Sequence, residues 1–542
     1  MTVESDRQVA GRGIRQSMSD LHTWVGLLLG WVLYAMFLTG TVSYFKDELS
    51  QWARPELARL VELPDPAVVA QRVADTFDRI APGTSQWSVR LPDARNNSAY
   101  AFWRTTTREP GQRGFAEGHF DPATGERVNA RDTLGGDFFY RFHFQFHYMP
   151  VLWGRWLAGV AAMFMLIAII SGVITHKKIF VDFFTFRWGK GQRSWLDAHN
   201  ALSVFGLPFH AMITYTGLVT LMAMYMPWGG QVAIKTTAER QQMQAEISAF
   251  AQPGKATGQK VPLASVTDMV RQAQERWGHD NVGRVNATHP GDAAARVIAI
   301  RGDSGRVSMS PQYMEFDGTT GKLLSVRDQV GAAAETRGVL YALHLGRFSD
   351  TVTRWLYFIV SFTGTAMVGT GLVMWTVKRR QKLPDPQRPY FGFRLVERLN
   401  IASIAGLSIA MTAFMWGNRL LPTTLAGRSN WEIDLFFMVW AAALLHALAR
   451  PVKAAWVEQL WAASALLFLL PLLNAMTTQR PLWHSLAQGD WVFAGIDLMC
   501  WVLAALHAVL AIRTARHQVK VLAGRKAHQQ PAVAVASGGA AE

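Results

Sequence analysis

Cysteine and charge are what this chain has least of. One thiol, Cys500, serves 542 residues, which excludes an internal disulfide, a C-x-x-C-H haem attachment and a cysteine-ligated iron–sulfur cluster. Charged residues are 17% of the chain and hydrophobic residues 50%, where a soluble globular protein carries roughly a quarter charged. No G-x-G-x-x-G follows a strand-like run and no Walker loop occurs, so there is no evident nucleotide or flavin domain. Any metal centre must rest on other ligands, and 15 histidines are available.

What the chain does have is apolar runs long enough to cross a bilayer core, about 20 helical residues each. They predict eight spans, near Leu21–Phe45, Trp156–Thr175, Trp195–Met226, Trp355–Val377, Ile401–Leu421, Trp431–Leu448, Ala454–Leu473 and Trp491–Ile512. Glu432, Asp434 and Glu458 sit in or beside the sixth and seventh. Basic residues gather before the first span (Arg7, Arg12, Arg15), between the second and third (Lys177, Lys178, Arg187, Lys190, Arg193) and after the fourth (Lys378, Arg379, Arg380, Lys382). The positive-inside rule places these loops and both termini in the cytoplasm. Most of the +15 net charge is thereby a topology signal and leaves no case for nucleic acid. The first span is too long for a signal peptide and lacks a small-residue cleavage site, so it is expected to stay as an anchor.

The expected order is a cytoplasmic N-terminus (1–20), a span (21–45), an outer segment (46–150), a span (151–176), a basic loop (177–194), a span (195–226) and a second outer segment (227–350). A fourth span (351–377), a basic loop (378–398), a C-terminal four-helix membrane extension (399–513) and a disordered cytoplasmic tail (514–542) complete it. Within this order the sequence repeats. His22 precedes Thr39-Gly40 by the spacing at which His199 precedes Thr216-Gly217, and Arg155-Trp156 precedes Ser171-Gly172 as Arg354-Trp355 precedes Thr370-Gly371. Phe120-Asp121-Pro122-Ala123-Thr124-Gly125 matches Phe316-Asp317-Gly318-Thr319-Thr320-Gly321, a turn in which Asp caps the loop and Gly takes the left-handed position. Amphipathic helices, Ala67–Ile80 and Leu263–Trp277, precede them, with strand-like stretches such as Gln86–Leu91 and Ala295–Ile300. The fold class expected is an all-α membrane bundle of about eight helices, with a duplicated four-helix core and two small α+β outer domains.

Histidine within a span usually marks function. His22 and His199 are repeat mates about one turn inside the cytoplasmic boundary, which suits a bis-histidine haem; the plainer reading is two interfacial side chains. His143 and His147 precede the second span and His344 the fourth. Being four apart, His143 and His147 would share one helix face, and either could pair with His344 around a second, outer haem. No carboxylate or thiolate falls at the spacing of a zinc motif. His210 lies deeper on the face of His199, as a ligand, a relay between haems, a donor to a propionate or a satisfied polar residue beside Pro208. His176 reads as interfacial, and His446 and His507 as weak cofactor candidates.

Leu21-His22-Thr-Trp-Val-Gly26, Asp197-Ala-His199, the histidine segments ahead of Gly154-Arg155-Trp156 and Arg354-Trp355, and the paired F-D-x-x-T-G turns resemble the PepSY-associated transmembrane family over roughly Met18 to Arg380. The resemblance implies PepSY-like periplasmic domains and a bacterial inner-membrane location. It further implies the activity of the ferric-siderophore reductases within the family: b-type haem held by bundle histidines, with electrons passed to the periplasm. On that basis the cofactor candidates are His22, His199, His143, His147, His344 and His210. The iron of two haems would be held by His22 with His199 and by His147 with His344. The implied partners are a ferric siderophore or other Fe(III) chelate, a cytoplasmic electron donor and the lipid bilayer. The rival readings are a non-redox scaffold or peptidase regulator, and a siderophore transporter component. The region from Ile401 onward departs from the four-span pattern.

Overall fold

The computed structural model describes residues 13–105, 114–176, 178–184, 187, 189–247 and 254–517. Arg7, Arg12, Lys177 and the expected tail beyond His517 lie outside the described residues. The first repeat runs α1 (Ile14–Leu28), α2 (Gly30–Ser43), α3 (Lys46–Trp52), α4 (Pro66–Ile80), β1 (Gln86–Arg90), β2 (Ala99–Arg104), β3 (Phe115–Phe120), β4 (Arg127–Val128), α5 (Gly136–Gln145) and α6 (Val151–Thr175). After α7 (Ile179–Phe183), the second runs α8 (Gln192–Phe205), α9 (Leu207–Thr220), the short α10 (Met222–Tyr225) and α11 (Trp228–Ala233), then α12 (Thr237–Ile247), α13 (Val266–Trp277), β5 (Val282–Thr288) and β6 (Arg296–Arg301). It closes with β7 (Tyr313–Asp317), β8 (Leu323–Arg327), α14 (Ala332–Leu345) and α15 (Thr351–Arg380). The extension is α16 (Phe391–Leu420), α17 (Arg428–Ala449), α18 (Val452–Thr477), α19 (Leu482–Gln488) and α20 (Trp491–Arg516).

Among the described residues, α6, α15, α16, α17, α18 and α20 are each long and apolar enough to cross a membrane, and α1–α2 and α8–α9 raise the number to eight if each bent pair is one span. The first and third runs are therefore not straight helices: they bend by 67° and 68°. In the second repeat the cause is visible, because Pro208 in the first turn of α9 cannot donate its backbone nitrogen. The first repeat breaks at the matching place, Leu29, beside Gly30. Each break follows its repeat-matched histidine, His22 or His199, by the same length of chain.

The outer segments, expected as two small domains, share one eight-stranded antiparallel sheet in the order β4-β3-β2-β1-β5-β6-β7-β8. The join is β1 with β5, where Val89 faces Val285. The offset that superposes Phe120 on Phe316 also superposes Val89 on Val285, so the pseudo-twofold axis passes through that pair. Joining the halves removes one open edge from each, which an isolated four-stranded sheet would leave exposed. α4 and α13 cover one face and bury Val73, Phe77, Trp87, Val89, Met269, Val270 and Val285 in one core. The paired turns form as the sequence implies. Asp121 and Asp317 accept the backbone N–H two residues on, at 2.8 and 3.0 Å, and Gly125 and Gly321 take φ of +76° and +71°.

α16 packs on the α2–α15 side of the core through an aromatic cluster that includes Tyr34, Phe138, Phe142, Phe414 and Phe436. Trp31 Nε1 donates to Asn400 Oδ1 at 2.9 Å, and Asn400 Nδ2 donates to the Leu372 carbonyl at 3.0 Å. The turn between α5 and α6 closes tightly: a Cβ on Gly154 would stand 1.8 Å from the Gln145 carbonyl oxygen. Gly154→Ala is therefore expected to cost about 1–3 kcal/mol through forced backbone shifts. Tryptophan fluorescence during thermal unfolding in detergent checks it, and an unchanged midpoint would show that this approach is not needed.

Candidate functional site

At the end of the bundle that carries the basic loops, His22 of α1 and His199 of α8 face each other with ring centres 6.2 Å apart and planes at 73°. Each is held the same way. His22 Nδ1–H donates to the Ala168 carbonyl of α6, and His199 Nδ1–H to the Met367 carbonyl of α15, both at 2.9 Å. A carbonyl only accepts, so Nδ1 carries the proton and Nε2 keeps the lone pair in the neutral ring. Each imidazole also lies against a repeat-matched glycine. A Cβ on Gly172 would stand 3.3 Å from His22 Cε1, and one on Gly371 would stand 3.2 Å from His199 Cε1.

The sheet end repeats this arrangement. His143 of α5 and His344 of α14 have ring centres 6.3 Å apart, with planes at 29°. His143 Nδ1–H donates to Met36 at 2.6 Å and His344 Nδ1–H to Ile213 at 3.0 Å, two carbonyls at matching positions of α2 and α9. Gly40 and Gly217 leave the room: a Cβ at either would meet the His143 or His344 Cε1 at 2.7 or 2.9 Å.

The expectation that His147 pairs with His344 gives way to this placement. α5 stops at Gln145, so His143 and His147 do not share a helix face. Phe146 and Tyr148 take φ of 54° and 56° and turn the chain outward, and the His147 ring stacks on Phe437 of α17 at 5.7 Å. His210 joins neither pair. It is buried in α9 with Phe37 and Phe209 as ring neighbours, its Nε2 is 3.2 Å from the Val360 carbonyl, and among the described residues its Nδ1 has no hydrogen-bond partner. Its depth is intermediate. Ile213, the acceptor of His344, lies one turn further along α9, and Met367, the acceptor of His199, two turns beyond Val360. Protein groups meet the remaining candidates: His176 contacts Asn200 at 2.9 Å, His446 contacts Glu458 at 2.8 Å and His507 Nδ1 donates to the Leu503 carbonyl at 2.8 Å.

The donor set can be tested against a haem. An imidazole nitrogen stands about 2 Å from a bound metal and the ring centre about 1 Å further, so two rings across one iron have centres about 6 Å apart. Both pairs meet that spacing, at 6.2 and 6.3 Å. Nδ1 tied to a backbone carbonyl is the usual outer partner of a metal-bound histidine. Among the described residues no group of three or more His, Cys, Asp or Glu side chains is placed to hold an ion. Two facing imidazoles suit a metal whose other four positions a macrocycle fills. The carbonyl acceptors leave no mark in the sequence; the glycines do, Gly40 with Gly217 and Gly172 with Gly371, but there they fit close helix packing as well as room for a flat macrocycle.

No curated protein matches the chain. The family model described as the PepSY-associated TM region matches residues 19–378, which takes in both repeats, the sheet and all four paired histidines and ends before α16. With two thirds of its length inside that match, the chain belongs to the PepSY-associated transmembrane family.

Proposed function

We propose that this chain is a b-type haem protein of a bacterial inner membrane that carries electrons from a cytoplasmic donor to the periplasmic side and there reduces ferric siderophores. The observation that carries the reading is the repeated geometry. At each end of the bundle two histidines from opposite repeats face each other at 6.2 or 6.3 Å, every Nδ1 committed to a carbonyl and every ring set against a glycine. Haem held there would supply one-electron Fe(III)/Fe(II) exchange. The chain's part is to fix each imidazole in one tautomer with Nε2 free. Leu33, Met36, Ala158, Ala161, Met165 and Met367, packed in one apolar cluster, keep water from the middle of the bundle. Siderophore iron is the substrate. Hydroxamate and catecholate oxygens are hard ligands that favour the more highly charged ion, so reduction weakens their hold. Lys178, Lys190 and Arg193 on the basic loop suit an acidic donor.

Protein purified after haem-replete expression is expected to show a Soret band, a reduced α-band and about two haems per chain by pyridine haemochrome assay. A colourless product sinks the reading. Two substitutions separate the neighbouring candidates. His147→Ala should leave haem content at the wild-type level. Gly40→Ala should lower it, because the added methyl meets a ring tethered to Met36; the opposite result would return the sheet-end ligand to His147.

A further inference from the structure

The centre of the sheet carries a like-charge pair. Arg90 of β1 and Arg284 of β5 stand directly opposite each other across the join of the two repeats. Side chains so placed have Cβ atoms about 5 Å apart, and like charges there are destabilising. The repeat does not require the pair: on the other side of the axis the matching positions are Ser88 and Asn286, which are neutral. Both arginines project from the face opposite α4 and α13, since Val89 and Val285 between them lie in the helix-covered core. That face looks toward the membrane helices. Arg90 reaches Asp47 of α3 at 3.9 Å, Arg95 reaches Asp47 and Glu48 at 3.5 and 2.8 Å, and Arg354 of α15 shares Glu48.

The carboxylates on this face are already committed. Burial alone would raise the Asp47 carboxyl, but Lys46, Arg90 and Arg95 hold it well below the ordinary range. Asp93 takes Arg90 at 3.3 Å and Asp303 takes Arg347 at 3.4 Å. Among the described residues the Arg284 side chain forms no ion pair or hydrogen bond, and the residue is exposed; the charged groups that act on it are Arg90, Arg347 and Asp303, and Asp303 is shared with Arg347. Beside Asp47, Lys46 Nζ lies 5.6 Å over the ring of Tyr140, which stands one turn before His143 on α5.

We propose that Arg284, opposite Arg90, seats an anionic ligand on the sheet face that looks toward the membrane helices, and that the ligand is a net-negative Fe(III) chelate brought up to the His143–His344 pair. The identity of the ligand rests on the proposed function; the anion site itself does not. The redox step it serves moves one electron from the reduced protein to the chelate iron, Fe(III) to Fe(II), with no bond made or broken at the arginines.

The probe is Ga(III)–citrate, an anionic and redox-inert mimic, titrated calorimetrically into full-length protein in zwitterionic nanodiscs. The wild type should bind it, more weakly as salt rises. Arg284→Gln should weaken binding about tenfold, as loss of a charge-assisted hydrogen bond does. Arg284→Lys should keep most of the affinity. The melting temperature of Arg284→Gln should equal or exceed the wild type, because a like-charge contact is removed. In stopped flow, the dithionite-reduced variant should be reoxidised more slowly than wild type by Fe(III)–citrate and at the wild-type rate by a neutral tris-hydroxamate complex. Equal binding by wild type and Arg284→Gln, or no binding by either, overturns the proposal. So does loss of haem from Arg284→Gln, which would assign the arginine to porphyrin propionates, or displacement of the probe by anionic lipid, which would assign it to a headgroup. Protein without haem that still binds the probe through Arg284 would defeat the proposed function and leave the anion site standing.

Discussion

On the proposed haem reading, His199→Ala is expected to leave the chain folded with about half of the wild-type haem content. His199 supplies one of two facing imidazoles, and its removal leaves His22 with no partner across a 6.2 Å gap. The structural cost is small, one hydrogen bond to the Met367 carbonyl, about 1 kcal/mol net. Haem content and folding should therefore separate: the elution volume on size exclusion stays, while the haemochrome value per protein falls. His22→Ala should match it, and the His22/His199 double variant should be no worse than either single one, because the two act as a unit. His344→Ala should remove the other half by the same reasoning, since its ring faces His143. His199 combined with His344 should give a nearly haem-free protein of normal size. Full haem in His199→Ala would show that this pair holds none.

The histidine pair at the basic end was legible in the sequence because a duplication puts equal residues at equal depth, and depth on two facing helices is most of what a pair needs. The sheet-end pair was only half legible. Choosing between His143 and His147 depends on where α5 stops, and that is set by the left-handed Phe146 and Tyr148, residue types that give no warning of it. The joining of the outer segments was hidden for another reason. β1 and β5 lie far apart in the chain, and their alternation fits an edge strand as well as a central one. The acidic residues that blurred the sixth and seventh spans have partners only the folded chain supplies. Glu432 meets Arg428, Asp434 accepts the Tyr148 hydroxyl, and Glu458 pairs with Arg450 and His446. An intramembrane carboxylate is costly until its partner is known, so these charges blur two helices that are otherwise long and apolar enough to cross a membrane.

Glu432→Ala is expected to destabilise the chain far more than the histidine changes, by about 3–5 kcal/mol. Both members of the Arg428–Glu432 pair are fully buried. Asn418 Nδ2 donates to Glu432 at 2.9 Å, the Thr133 hydroxyl donates to its other oxygen, and Arg428 donates to the Asn418 and Asp132 carbonyls at 2.6 and 3.1 Å. Truncating the carboxylate leaves a buried guanidinium without its counter-charge, and the penalty is that unpaired charge rather than the lost attraction. Hence a double variant, Arg428→Met with Glu432→Leu, should recover most of the loss, where a cost from packing alone would add. Thermal unfolding of the two singles and the double decides between these, and a double as unstable as the sum of the singles would refute the account. The effect should reach the sheet-end site as well. Thr133 and Asp132 lie on the segment that enters α5, where the Thr133 hydroxyl also accepts the Gly135 N–H at 3.0 Å. Loosening that entry frees the helix that carries His143. Glu432→Ala should therefore lose haem from the sheet-end pair at temperatures where the His22–His199 pair keeps its own.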